Sequence, residues 1–115
     1  MARISYLELP VSDVAGVKAF YSGAFDWAFT DFGPDYASTM SGDSDLGLNG
    51  DASQSTALLL PVIDVADLEA TLARVTAAGG IVTHPIFAFP GGRRFHFRDP
   101  AGHELAAMQV EPMKD

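Results

Sequence analysis

Apolar and polar positions alternate through Ile4-Ser5-Tyr6-Leu7-Glu8-Leu9, with Ile4, Tyr6 and Glu8 on one side and Ser5, Leu7 and Leu9 on the other, which is the period of a strand. From Asp13 the period changes. Val14, Val17, Phe20, Tyr21, Ala24 and Phe25 recur at helical spacing, and Asp13 is placed to cap the helix they predict. Leu7 and Leu9 are expected to pack beneath that stripe. Trp27 to Phe32, Tyr36 to Met40 and a short apolar piece around Leu46-Gly47-Leu48 follow, separated by Gly33-Pro34-Asp35 and a polar turn. They predict three strands joined by hairpins.

The pattern then returns. Leu9-Pro10-Val11-Ser12-Asp13-Val14-Ala15 is echoed by Leu60-Pro61-Val62-Ile63-Asp64-Val65-Ala66, an offset of 51 residues (60 − 9), beyond the polar linker Asp51-Ala52-Ser53-Gln54-Ser55. By that offset the second copy opens with a strand over Thr56 to Leu60, and Asp64 caps a helix with Asp67 at its third position. Val65, Leu68, Leu72 and Val75 form its stripe, Arg74 suits its C-terminal dipole, and Gly79-Gly80 ends it. Ile81-Val82-Thr83 begins a strand, and His84 to Pro90 reads as an irregular aromatic and proline stretch. Strands over Arg93 to Arg98 and His103 to Val110 flank the turn Asp99-Pro100-Ala101-Gly102. Each copy is β-α-β-β-β, so the expected fold is α+β, one domain built from two modules at about 1–50 and 56–115. A repeated unit of this kind buries its apolar face by packing on its copy or on a second subunit.

Composition narrows what such a fold does. With 115 residues and nearly half of them apolar, the chain has enough material for a core. No run of ~18 uncharged apolar residues is present, and Met1-Ala2-Arg3-Ile4 lacks the layout of a signal peptide, so a soluble cytoplasmic protein without membrane contact is expected. There is no cysteine, which removes disulfides and thiolate chemistry. The net charge of −8 argues against nucleic acid as a partner.

The double β-α-β-β-β order, the Asp-capped helices, Phe20-Tyr21 in the first of them, and Arg98-Asp99-Pro100-Ala101-Gly102-His103 before the last strand resemble the vicinal oxygen chelate superfamily. That group includes the glyoxalases, bleomycin-resistance proteins and extradiol dioxygenases, and the resemblance runs from Ile4 to Gln109. It implies an open, cup-shaped mixed sheet with helices outside, and a homodimer. Enzymes of the group hold a divalent metal on the first and last strands of each module. Those positions correspond to Tyr6, to Ala57 by the 51-residue offset, to Ala106, and to a residue between Gly47 and Asn49. A methyl group cannot bind a cation. The resemblance therefore implies the fold without the family's metal, and no cofactor is expected.

Strand parity places Tyr6, Glu8, Arg94, His96, Glu104 and Ala106 on the face opposite the helices. His96 lies three residues before Asp99, where the resembling dioxygenases carry a catalytic tyrosine. Its imidazole suits proton transfer near neutrality, with Glu8 or Glu104 to orient the ring. The alternatives are a His satisfied within its strand, and carboxylates paired with Arg94 or Arg98. A His with two carboxylates is also a possible displaced metal site. Tyr6, Trp27, Tyr36, Phe87 and Arg94 are candidate ligand contacts, or else core and rim packing. His84, before Pro85, is expected in an extended loop and His103 in a turn-stabilising role. The leading reading is a metal-independent small-molecule-binding homodimer, with sequestration of the ligand as one option. The rival is a lyase, isomerase or epimerase that uses His96 as acid and base.

Overall fold

A computed structural model describes residues 2–111. The described residues form two compact units, one of residues 5–60 and one of residues 2–4 with 61–111. Both are β-α-β-β-β, as the hydrophobic pattern predicts, and the α+β class holds.

The first module comprises β1 (Arg3–Pro10), α1 (Val14–Phe25), β2 (Phe29–Asp31), β3 (Tyr36–Thr39) and β4 (Asp45–Asn49), with strands in the order β2-β3-β4-β1. β1 runs parallel to β4, pairing Glu8 with Gly47, while β3 and β4 are antiparallel and pair Tyr36 with Asn49 and Ser38 with Gly47. Asp13 caps α1 by accepting a hydrogen bond from the Gly16 amide at 3.0 Å. The helix ends on Asp26 in the left-handed region, at φ 61°, a position more often given to glycine. Ala37 and Leu48 are fully buried, but no residue of α1 is. The expected stripe is therefore only partly covered: Phe20 remains 62% exposed, Leu7 is exposed and Leu9 is half-buried. Trp27 precedes β2 instead of opening it, and its ring stacks on Tyr21 and Phe25 at 5.6 and 5.3 Å between centroids.

The second module comprises β5 (Leu60–Asp64), α2 (Leu68–Ala77), β6 (Ile81–Phe89), β7 (Gly92–Arg98) and β8 (Glu104–Val110), ordered β5-β8-β7-β6. Val65, Leu68, Phe95 and Ala107 form its core, with Ile63, Leu72, Val75, Ile86 and Phe97 packed around them. The expected α2 stripe is this core. Two expectations change, however. Thr56 to Leu59 is not a strand, and Asp64 is the last residue of β5, so the cap is Asp67, which accepts from the Ala70 amide at 3.0 Å. Pairing of Ile63 with Ala107 and of Asp64 with Met108 carries β5 through Asp64, as pairing with Asn49 carries β1 through Pro10.

The stretch from His84 to Phe89 also differs from its expectation. It continues β6 instead of forming a loop, and pairs with β7 through two register shifts, one between Val82 and His84 and one between His84 and Phe87. β6 is the last strand of its array, where a proline such as Pro85 removes no ladder bond that a neighbour needs. Bulges bend such a strand and re-aim its side chains.

Candidate functional site

In the second module, Phe95 and Ala107 point at α2, so the alternating residues Arg94, His96, Glu104 and Ala106 occupy the opposite face, as parity predicts. His96 pairs across the strands with His84 on one side and Ala106 on the other. The bulge at Thr83 gives β6 one extra residue and turns His84 to this face. The His84 and His96 ring centroids are 5.0 Å apart, and that of Phe87 is 5.8 Å from His96. Glu104 Oε2 lies 3.2 Å from His96 Nδ1 and accepts a hydrogen bond from Thr83 Oγ1, also at 3.2 Å. The Arg94 guanidinium stands over the rings of Phe87 and Phe89, 5.3 and 5.6 Å from their centroids.

His96 is only 3% exposed, and its Nε2 is buried with no hydrogen-bond partner among the described residues. Burial disfavours the imidazolium and pushes the His96 pKa down from its ordinary value; the Arg94 charge adds to this, Glu104 opposes it, and His84 contributes slightly to the lowering. Near neutrality the ring is therefore uncharged. An uncharged imidazole carries one N–H and one lone pair, and the Glu104 carboxylate can only accept, which favours the proton on Nδ1 and leaves the lone pair on Nε2.

The first module gathers its own polar face. The hydroxyls of Tyr6 and Tyr36 meet at 2.5 Å, and Gly47 of β4 lies directly against them. Glu8 is 5% exposed and accepts from Asn49 Nδ2 at 3.2 Å. Within the second module Glu104 is hydrogen-bonded to His96. Trp27 belongs to the aromatic cluster at the end of α1. His103 has the expected turn role: its amide donates to Asp99 Oδ1 at 2.9 Å and its Nδ1 lies 3.1 Å from Oδ2. The sequence pattern gives Thr83 a strand position but no role at the site, and His84 an extended loop. The signal available there was a β-branched run broken by His-Pro, which is the composition of a bulged edge strand.

The family's metal-ligand positions can be revisited with the observed register. The helix caps Asp13 and Asp67 set the structural offset at 54 residues (67 − 13), so the counterpart of Tyr6 is Leu60, in place of Ala57. Leu60 and Ala106 are fully buried hydrocarbon, and at Gly47 the Tyr6 and Tyr36 hydroxyls fill the space that a side chain would need. These residues do not fit a divalent cation at the family positions. A different set of donors does come together. One ligand atom each from His84, His96 and Glu104 lies within 4.8 Å of the others.

The chain belongs to the Glyoxalase/Bleomycin resistance protein/Dioxygenase superfamily, whose family model matches residues 3–107. Among solved structures it is similar to methylmalonyl-CoA epimerase from Mycobacterium tuberculosis, with a TM-score of 0.75 at 14% identity over 95% of this chain and 88% of that one. It is also similar to a glyoxalase/bleomycin resistance protein/dioxygenase superfamily member from Vibrio splendidus 12B01, with a TM-score of 0.68 at 16% identity, covering 96% of this chain and 100% of that one. The Mn(II)-bound glyoxalase from Novosphingobium aromaticivorans matches with a TM-score of 0.69 at 19% identity, over 100% of this chain and 43% of that one. At these identities the likeness is one of fold. No curated protein matches the chain in sequence.

Proposed function

We propose that this protein is a cytoplasmic homodimer that binds a small organic molecule without a metal at the family's ligand positions. The observation that supports it is the polar cluster on the helix-free face of β6, β7 and β8. A His, a carboxylate and a threonine hydroxyl are buried or half-buried there among aromatic rings, with a ring nitrogen left unsatisfied. Such a group costs about 1–3 kcal/mol of stability and adds nothing to the core on the other side of the sheet, which marks the face as kept for binding. Phe87, Arg94 and His96 are the proposed contacts on this face. The hydrocarbon at Leu60 and Ala106 supports independence from the family's metal. No helix among the described residues is long and apolar enough to cross a membrane.

A thermal-shift screen of chelator-treated protein tests the reading, using small carboxylates, ketones and cationic aromatic drugs, bleomycin included. Stabilisation by at least one class, lost in Arg94→Ala and His96→Ala, is the expected result. Hits that survive both substitutions, or a full screen without hits, would contradict it.

One observation favours a second reading, acid–base catalysis. An uncharged His96, oriented through Nδ1 by Glu104, presents Nε2 as a base, the arrangement that proton abstraction requires. The fold likeness to an epimerase is compatible with that chemistry. Uptake of solvent deuterium into a ligand found by the screen, abolished by His96→Ala, would establish it, and uptake that persists in the variant would remove His96 from the mechanism.

A further inference from the structure

We infer that His84, His96 and Glu104 form a binding site for a late first-row divalent cation, of which Zn²⁺ is the best match, at a place in the fold separate from the family's ligand positions. The inference goes beyond ligand binding and does not depend on it. All three residues lie within the second module, on three adjacent strands, and their donor atoms lie within 4.8 Å of one another. Zinc bonds of ~2.0–2.2 Å separate the donors of a tetrahedral site by roughly 3.4 Å. His96 Nδ1 and Glu104 Oε2, at 3.2 Å, already meet that spacing. His84 has to close by roughly an ångström, and it is the exposed member of the three, next to a register shift in an end strand.

The donor chemistry points the same way. Two imidazoles and one carboxylate form a three-ligand set that suits zinc with a position left open, and the imidazoles select late first-row metals over Mg²⁺ or Ca²⁺. Thr83 Oγ1 donates to Glu104 Oε2, an outer hydrogen bond of the kind that orients metal-binding carboxylates. The ring of His96 is enclosed, and binding an ion through Nδ1 moves its proton to the buried Nε2. Two cations share this face: the Arg94 guanidinium is drawn over Phe87 and Phe89, and Arg98, across from Glu104, is exposed to solvent. The bulge at Thr83 then has a purpose, since regular pairing beyond Val82 would put Thr83 opposite His96 and turn His84 towards α2.

The test is calorimetric titration of chelator-treated full-length protein with ZnCl₂, alongside Co²⁺ titration followed by visible d–d absorption. One ion per chain with micromolar or tighter affinity is expected. His84→Ala and Glu104→Gln should each weaken binding at least about 100-fold and abolish the Co²⁺ bands. His84 is exposed, so its variant is expected to fold, which thermal unfolding verifies; His103→Ala, at the only other histidine of the chain, should leave affinity unchanged. No binding at millimolar Zn²⁺, or binding that persists in His84→Ala or is lost in His103→Ala, would overturn the site. Repeating the organic-ligand screen with chelator separates the two proposals, because hits without zinc binding would sink the metal site alone.

Discussion

Gly47→Ala is the sharpest probe of the first module's polar face. A methyl group on Gly47 would collide with the hydroxyls of both Tyr6 and Tyr36 and would stand 2.7 Å from Tyr6 Cζ. Ordinary carbon contacts are about 3.5–4.0 Å, so the Tyr6 ring must retreat by roughly an ångström. Two terms oppose the fold. Loss of the 2.5 Å hydroxyl pair removes about 0.5–1.5 kcal/mol, and overpacking at the buried strand position adds about 1–3 kcal/mol. One term favours it, because alanine has less freedom than glycine to lose in a strand, worth about 0.5–1 kcal/mol. The net is a destabilisation of about 2 kcal/mol. For a chain of 115 residues, with an unfolding entropy of about 2.1 cal/mol/K per residue, that lowers Tm by roughly 8 °C. Calorimetric or circular-dichroism melts measure it directly. In a Tyr6→Phe/Tyr36→Phe background both hydroxyl contacts are gone, so the same substitution should have a smaller effect. A Gly47→Ala protein that melts at or above the wild-type temperature would refute the packing argument, because the entropic term would then have won.

Other outcomes follow from the same structure. Leu68→Ala, in the core of the second module, should cost about 2–5 kcal/mol in urea unfolding, whereas Leu58→Ala, at a side chain 78% exposed, should stay within about 0.5 kcal/mol; equal effects would contradict the burial pattern. Because the folded-state pKa of His96 is depressed, the unfolded chain takes up a proton near pH ~6.5 that the folded chain refuses, so stability is full above that pH and falls as pH drops through it. Melts of chelator-treated protein from about pH 7.5 down to about pH 5.5 should show the fall, and His96→Gln should flatten it. Light scattering should give about twice the chain mass of 12.2 kDa, and a monomer at micromolar concentration would remove the dimer from the proposed function.

The elements that could be read in advance are those whose local pattern and packing agree. The α2 stripe Val65, Leu68, Leu72 and Val75 is also the observed core, and the alternation through β7 and β8 put Arg94, His96 and Glu104 on one face before any geometry was available. What escaped was set by pairing. The continuity of β6 across Pro85 depends on β7 beside it, and the β-branched run broken by His84-Pro85 is its one local sign. The same pairing brings His84 beside His96, so the second imidazole of the site was out of reach of a local reading. Likewise, nothing along the chain shows that Tyr6 and Tyr36, 30 residues apart, share a hydrogen bond.

The repeat itself carries the plainest lesson. By letter the copies align at an offset of 51, but the backbone aligns at 54. The Val11 amide donates to the carbonyl of Asn49 at 3.0 Å, and its structural counterpart is Val65, whose amide donates to Met108 at 2.9 Å. The matching Leu-Pro-Val letters therefore do different work in the two modules: Leu9-Pro10 closes β1, while Leu60-Pro61-Val62 opens β5. The three-residue slip decides which side chains are equivalent across the pseudo-repeat. Tyr6 and Glu8, which keep polar groups on the first strand of one module, correspond to Leu60 and Val62, both buried and apolar, in the other. The second module consequently has hydrocarbon on its first strand where Tyr6 and Glu8 stand in the first. Its chemistry sits instead on β6, β7 and β8, where a bulge that the first module lacks supplies His84 and Thr83. The family's ligand positions are thus hydrocarbon at Leu60 and Ala106 and filled at Gly47, while the donors that come together, His84, His96 and Glu104, lie on β6, β7 and β8.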